Sequence, residues 1–249
     1  MSIRAGRIIC PDRQAAGSDD PPFCATHCLP ATMKIALSLM LALCGALSTA
    51  HAQELKGDAA AGAKINAQCI GCHGIPGYQS SFPEVHKVPM ISGQNAKYIV
   101  AALSAYKKGE RKHPTMYAVA AGLSEQDIAD LAAYYSTHGT GAPAPETAAV
   151  QPTPEVAALL AKGACVSCHG ANFSKPIDGS YPKIAGQHAD YLYVALKSYK
   201  TEGNAIVGRG NAIMVGQVKQ FSLAELKAIA KYIGSLPSEV HTVAQSKFR

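Results

Sequence analysis

The sequence has little of three features that would point to common protein classes. After Cys44 it has no cysteine outside two five-residue segments, which leaves none for a separate disulfide or free thiol. Alternation of apolar and polar residues with the period of a strand is nearly absent from position 53 onward. The apolar run at 35–47 has 13 residues, whereas a membrane-spanning helix needs about 20. The chain is therefore expected to be all-α, and this run is too short to span a membrane.

The two cysteine-containing segments share one pattern. Cys-x-x-Cys-His occurs at residues 69–73 and again at 165–169. This spacing is typical of c-type haem attachment, in which both thiols bond to haem vinyl groups and the adjacent histidine ligates the iron. Because the pattern occurs twice, we predict two covalently bound haems c. The predicted attachment residues are Cys69, Cys72, Cys165 and Cys168, and the predicted histidine ligands are His73 and His169.

Two other uses of paired cysteines are disfavoured. A structural zinc site draws its ligands from two spaced pairs that converge on one ion. Here the motifs lie 96 residues apart, and neither copy has a second cysteine pair. A thioredoxin-like redox motif requires a surrounding βαβ pattern, and both flanks look helical.

Residues 1–52 are interpreted as an N-terminal extension and a cleaved signal peptide. A basic start at Met33 precedes the apolar run, which leads to a small-x-small sequence ending at Ala52. We expect cleavage after Ala52, and translation from Met33, because residues 1–32 are polar and proline-rich. Bacterial haem c is attached outside the cytoplasm, in a compartment that permits oxidised thiols. The expected location is a Gram-negative periplasm.

The remaining sequence is interpreted as two copies of one domain. Residues 90–98 match 183–191, and a capped segment at Ser124 matches one at Ser222. The intervening stretch is rich in proline and alanine, which is typical of a semi-extended linker of about 45 Å at 3.1 Å per residue. We predict the first domain at 53–139, the linker at 140–154 and the second domain at 155–249.

Each copy is predicted to hold three main helices around one haem. The last helix of each copy begins with a capping box, in which a serine hydroxyl and an acidic side chain cap each other's backbone N–H groups. The boxes pair Ser124 with Asp127 and Ser222 with Glu225. The predicted helices cover about 58–68, 95–108 and a segment from 124 in the first copy, and about 154–162, 188–201 and a segment from 222 in the second.

Met116 and Met214 are predicted to be the second axial ligands. Each lies eight residues before a capping serine, in a segment expected to be a loop, so the two positions are equivalent. The other candidate ligands lack such an equivalent and are assigned to packing, loops or the surface: Met90, His86, His113, His138 and His188. Iron with histidine and methionine ligands has a raised reduction potential and no vacant site for a substrate. We therefore predict an electron carrier that is not an enzyme.

The chain resembles a dihaem class I cytochrome c of the cytochrome c-four type. The resemblance covers essentially all of 53–249, through the tandem motifs, the methionines and the sequence Pro-Lys-Ile-Ala-Gly-Gln at 182–187. In the first copy residues 88–93 read Val-Pro-Met-Ile-Ser-Gly, which is less like the block of the family than the second copy is. The resemblance implies a periplasmic shuttle, often loosely membrane-associated, from a quinol-oxidising complex to a haem-copper terminal oxidase.

Two other functions stay open at this point. One is the cytochrome subunit of a periplasmic dehydrogenase, and the other is a dihaem enzyme, which would need one iron with an open site. Residues 53–150 carry eight basic and eight acidic residues, whereas 151–249 carry eleven and six, a net charge of +5. This asymmetry favours an acidic redox partner docking on the second domain. Nucleic acid is not an expected partner, and the protein is expected to be a monomer.

Overall fold

The computed structural model describes residues 55–140, 143 and 145–244, which belong to one compact unit. The predicted signal peptide lies outside the described residues, as do its predicted cleavage after Ala52 and the predicted start at Met33. Within the described ranges, no helix has both the length and the apolar character needed to cross a bilayer.

Helices dominate both copies of the repeat. In the described part of the first copy they are α1 (Ala59–Ile65), α2 (Ala67–His73), α3 (Ala96–Lys107), α4 (Pro114–Ala121) and α5 (Glu125–Thr137). In the second they are α6 (Pro154–Lys162), α7 (Cys165–His169), α8 (Ala189–Ser198), α9 (Ala212–Lys219) and α10 (Leu223–Gly234). The described residues also form four two-residue strands: β1 (Gln79–Ser80), β2 (His86–Lys87), β3 (Arg111–Lys112) and β4 (Gly208–Arg209). They make the antiparallel pairs β1–β2 and β3–β4.

The three main helices predicted in each copy are present, and two further helices accompany them. The motif itself is helical in both copies, and each predicted ligand methionine lies in the first turn of α4 or α9 rather than in a loop. These turns form because His113 and Asn211 cap them, accepting hydrogen bonds from the backbone N–H groups of Met116 and Met214. The loop prediction was therefore wrong, because the two caps differ in residue type and only their shared geometry identifies them.

Both predicted capping boxes are confirmed. The Ser124 N–H donates to the Asp127 carboxylate at 2.9 Å, and the Ser222 N–H donates to Glu225 at 2.6 Å. The boxes fix the starts of α5 and α10, whose apolar faces are buried in the two cores. The cores are thus anchored by the C-terminal helix of each copy.

The first and last helices of the first copy are in close contact. The N-cap residue Asp58 donates its backbone N–H to the buried carboxylate of Asp130 on α5 at 2.7 Å. Gly62 is buried in α1 where this helix contacts α5. Because Gly62 has no side chain, the backbone of α5 can approach closely. The equivalent position 96 residues later is Ala158, so this close approach belongs to the first copy.

The segment between the copies packs on the second copy. The carbonyl of Pro145 accepts a hydrogen bond from the Asn172 side chain at 2.6 Å, and that of Val150 accepts one from the Tyr232 hydroxyl at 2.9 Å. Hydrogen bonds to its backbone therefore hold the segment against the protein. The predicted domain boundaries themselves stay a prediction.

The two copies also contact each other directly. Strand β3 of the first copy pairs with β4 of the second, placing Arg111 opposite Arg209. Ion pairs of 3.3 Å between Lys87 and Asp190 and of 3.0 Å between Lys197 and Glu84 span the same boundary. Since these lysines are substantially exposed, each pair stabilises the interface by only about 0–1 kcal/mol.

Candidate haem-binding site

The two motif histidines are held in the same way by backbone carbonyls. His73 closes α2 and its Nδ1 lies 2.8 Å from the Pro89 oxygen, while His169 closes α7 with its Nδ1 3.3 Å from the Pro182 oxygen. A carbonyl only accepts hydrogen bonds, so Nδ1 carries the proton and Nε2 carries the lone pair. Burial lowers the pKa of both imidazoles, which keeps them neutral. A neutral imidazole with a free Nε2 is the form that ligates a metal.

Two of the motif cysteines, Cys69 and Cys165, have the properties of unreactive thiols rather than of redox nucleophiles. None of Cys69, Cys72, Cys165 and Cys168 is in a disulfide. Burial is the main influence on Cys69 and Cys165, and it raises the pKa of both thiols. A redox-active pair needs a lowered thiol pKa, so the geometry favours haem attachment over a thioredoxin-like role.

A cavity of about 590 Å³ brings the predicted site residues together. It is lined by all eight of them, namely Cys69, Cys72, His73, Met116, Cys165, Cys168, His169 and Met214. Apolar side chains such as Ile99, Leu131 and Ile229 complete its walls. A predominantly apolar cavity with a few convergent polar groups fits the macrocycle of a porphyrin. The assignment of individual residues as ligands stays a prediction.

Two arginines at the boundary of the copies provide a further test of the fit to haem. Arg111 donates to the hydroxyl groups of Tyr98 and Tyr191 at 3.0 and 2.7 Å, and Arg209 donates to Tyr191 at 3.1 Å. Among the described residues, no carboxylate forms an ion pair with either guanidinium, and the buried Nε of Arg111 has no hydrogen-bond partner. Both arginines line the cavity. Haem carries two propionate carboxylates, which are the counter-charges that this pair lacks.

The electrostatic effect of the arginine pair is visible on Tyr191. Burial by itself would raise the pKa of this phenol, but Arg111 and Arg209 outweigh burial and lower it to about 8. The lowered pKa shows how strongly the two neighbouring cations favour negative charge at this position. The donors, charges and apolar walls of the cavity are thus all consistent with haem.

Sequence reasoning missed several residues of this site and misplaced one. Arg111 and Arg209 occupy equivalent positions of the two copies, so the repeat alignment held the signal that would have identified them. His86, which was expected on the surface or in a loop, is 4% exposed and packs against the Tyr191 ring at 6.1 Å. That prediction was wrong because the neighbouring ring comes from the other copy, 105 residues along the chain.

Comparison with known proteins gives matches over both copies. The profile of the family described as Cytochrome c matches residues 59–138 and 155–237. Cytochrome c4 of Azotobacter vinelandii is 33% identical over 217 residues, a match that covers 82% of this chain and 100% of that protein. The crystal structure of reduced recombinant cytochrome c4 from Pseudomonas stutzeri superposes with a TM-score of 0.53 at 28% identity, covering 73% of this chain and 100% of that chain.

A further relative is named for a specific redox role. The thiosulfate dehydrogenase electron acceptor of Thiomonas intermedia is 28% identical over 188 residues, covering 73% of this chain and 84% of that protein. The match is longer than either copy of the repeat, since a single copy holds fewer than 100 residues.

Proposed function

The chain belongs to the cytochrome c family, as a member of the cytochrome c4 type with two covalent haems c, and we propose that it shuttles single electrons in the periplasm from a quinol-oxidising complex to a terminal oxidase. The family match confirms the predicted all-α fold with two tandem cytochrome c domains. It also confirms that the chain is a dihaem electron carrier rather than an enzyme. The donor, the acceptor and the location are the parts that we propose.

The residues of each copy divide the work of holding one haem. Cys69 and Cys72 would attach the first haem and His73 and Met116 would ligate its iron, with the equivalent residues Cys165, Cys168, His169 and Met214 serving the second. When bound, haem supplies an iron that exchanges one electron. The Pro89 and Pro182 carbonyls orient the histidine rings, and the apolar walls exclude water. A histidine and a methionine from the chain on each iron would leave no site for a substrate.

The observation that carries this proposal is the pairing of a neutral, carbonyl-oriented histidine with a helix-held methionine in both copies. We expect the mature protein to contain two haems by pyridine-haemochrome assay and to show the near-infrared sulfur-to-iron band. It is also expected to bind no carbon monoxide when reduced. Carbon monoxide binding to the native protein, or a single haem per chain, would contradict the proposal.

A second candidate is electron acceptor to a periplasmic dehydrogenase. The similarity to the Thiomonas intermedia protein favours it, because that relative is named for accepting electrons from thiosulfate dehydrogenase. Both candidates use the same two haems and differ only in the donor. Reduction of the purified protein by thiosulfate plus a thiosulfate dehydrogenase, compared with reduction by a quinol-oxidising complex, separates them.

The second domain is the proposed docking side for an acidic partner. Lys227 and Lys231 lie one turn apart on the exposed face of α10, and Lys219 is exposed at the end of α9. The positions of the first copy equivalent to Lys227 and Lys231 are Ala129 and Ala133. The excess positive charge of the second domain is thus partly concentrated on one helix face.

Charge reversal on this face is expected to slow electron transfer to an acidic partner. The double variant Lys227→Glu and Lys231→Glu should lower the second-order rate constant for electron transfer to the partner about tenfold at low salt, because surface potential steers the encounter of the two proteins. The difference should shrink above about 0.1 M salt, where charges are screened over about 10 Å. Stopped-flow oxidation by membranes containing a terminal oxidase measures the rate.

The control for this experiment changes the net charge equally on the first domain. Lys64 and Lys108 are exposed there, and the variant Lys64→Glu with Lys108→Glu should affect the rate little. Equal slowing by both double variants, or a rate that is indifferent to ionic strength, would exclude docking on the second domain.

A further inference from the structure

Two glutamines at equivalent positions of the repeat reach across the boundary between the copies. The Gln187 carboxamide accepts from the Met90 N–H at 3.0 Å and donates to the Met90 carbonyl at 2.9 Å. Reciprocally, Gln94 accepts from the Lys183 N–H at 2.8 Å and donates to the Lys183 carbonyl at 2.9 Å. Both glutamines are only 4% exposed. Each side chain therefore pairs with the main chain of the other domain.

The orientation of both carboxamides follows from their partners. The Gln187 oxygen also accepts from the His188 N–H at 3.0 Å, and the Gln94 oxygen accepts from the Asn95 N–H at 3.0 Å. Each oxygen thus faces two backbone N–H groups and each nitrogen faces a carbonyl, and a flipped amide would lose every one of these bonds. The oxygen of each glutamine therefore accepts one hydrogen bond from the helix start of its own domain and one from the main chain of the other domain.

The peptide groups that these glutamines contact are the ones that orient the histidines. The N–H of Met90 belongs to the Pro89–Met90 peptide group, whose oxygen accepts from His73 Nδ1. The N–H of Lys183 likewise belongs to the Pro182–Lys183 peptide group, whose oxygen accepts from His169 Nδ1. A single planar peptide group therefore connects each histidine to the glutamine of the opposite domain.

Resonance within a peptide group makes the two hydrogen bonds interdependent. When the N–H donates to a glutamine oxygen, electron density shifts toward the carbonyl oxygen, which becomes a stronger acceptor. A stronger acceptor on Nδ1–H makes the imidazole a more basic ligand, which stabilises the oxidised metal. Each glutamine is then expected to lower the reduction potential of the haem in the other domain.

We propose that Gln94 and Gln187 are positioning residues that act across the domain boundary, each setting the reduction potential of the haem in the opposite domain. The inference rests on the proposed ligation by His73 and His169. Packing of the two copies against each other would then affect the reduction potentials as well as the stability of the protein. The potential of each haem depends on whether the other domain is docked in this arrangement.

The test is a redox titration of Gln187→Leu and Gln94→Leu in the dihaem protein. Gln187→Leu should raise the potential of haem one, and Gln94→Leu should raise that of haem two. Each shift should correspond to roughly a three- to tenfold change in the equilibrium constant between the oxidised and reduced forms. To distinguish the two haems, each titration is repeated with Met214→His or Met116→His added. That substitution shifts the reduction potential of one haem well away from the potential of the other.

Asn95→Ala is the matched control. The Asn95 side chain also crosses the boundary and donates to the Tyr181 carbonyl at 3.1 Å. This carbonyl does not belong to either of the two peptide groups that accept hydrogen bonds from the histidines. If either leucine variant does not accumulate, asparagine at the same position keeps the carboxamide, withdraws it by one methylene and gives the same directional test. Circular dichroism verifies that each variant is folded.

The outcomes separate this inference from the proposed function. A rise in potential confined to the opposite haem supports the inference, and a fall in that potential would overturn it. A shift in the glutamine's own haem, equal shifts in both haems, no shift, or an equal effect of Asn95→Ala would overturn it while leaving the His/Met carrier intact. Absence of the sulfur-to-iron band from the unsubstituted protein would overturn the proposed methionine ligation alone, because the inference depends on the two histidines.

Discussion

Replacing Met214 with histidine is expected to lower the reduction potential of the second haem by several tenths of a volt, within the roughly 0.8 V that axial ligands span. A thioether is a soft ligand that favours reduced iron, whereas a second imidazole favours the oxidised form. The Asn211 cap binds the Met214 backbone N–H at 3.1 Å, so the helix start does not depend on the side chain. Potentiometric titration gives the shift, and the near-infrared sulfur-to-iron band should fall to about half.

Two further methionines provide the controls for this experiment. Met116→His should produce the mirror image, with the first haem shifted and the second unchanged. Met90→Leu should change neither the potentials nor the band, because leucine keeps the backbone hydrogen bonds to Gln187 and an apolar side chain at the cavity wall. An undiminished band in Met214→His would show that this methionine is not a ligand.

Replacing Gly62 with alanine is expected to destabilise the first domain by about 2–3 kcal/mol. A Cβ at this position would lie 2.6 Å from the carbonyl carbon of Asp130 and 2.9 Å from the Cβ of Tyr134. Because the obstacle is partly backbone, helices α1 and α5 have to separate, which also strains the hydrogen bond between Asp58 and Asp130. Guanidinium unfolding of the dihaem protein, followed by circular dichroism, measures the loss.

Gly216→Ala is the matched helical control for Gly62→Ala. Gly216 lies within α9 and has no atom within 4 Å of a built Cβ, so alanine there meets no obstacle. Its higher helix propensity should stabilise α9 by up to about 1 kcal/mol. Similar stabilities for the two variants would mean that α1 and α5 do not need their close approach.

The features that could be predicted from sequence are those set by residue type and local spacing. Cys-x-x-Cys-His requires particular side chains within five residues, and Ser222 with Glu225 forms a capping box within four. The two methionine ligands were predicted from the repeat, because Met116 and Met214 stood out only as equivalents of each other. The first copy reads differently at 88–93, yet His73 still faces a backbone carbonyl there, because the contact is made by the main chain of Pro89 rather than by a side chain.

By itself, the sequence determined that this chain carries two haems on two helical copies of one domain, because covalent attachment and helix capping depend on neighbours along the chain. The tertiary structure alone decided how the copies meet. It placed Arg111 beside Tyr191, buried His86, and set Gln94 and Gln187 against the opposite main chain. These partners lie 80 to 105 residues apart in sequence, so no local pattern encodes them. They are brought together because the two domains bury their facing surfaces against each other.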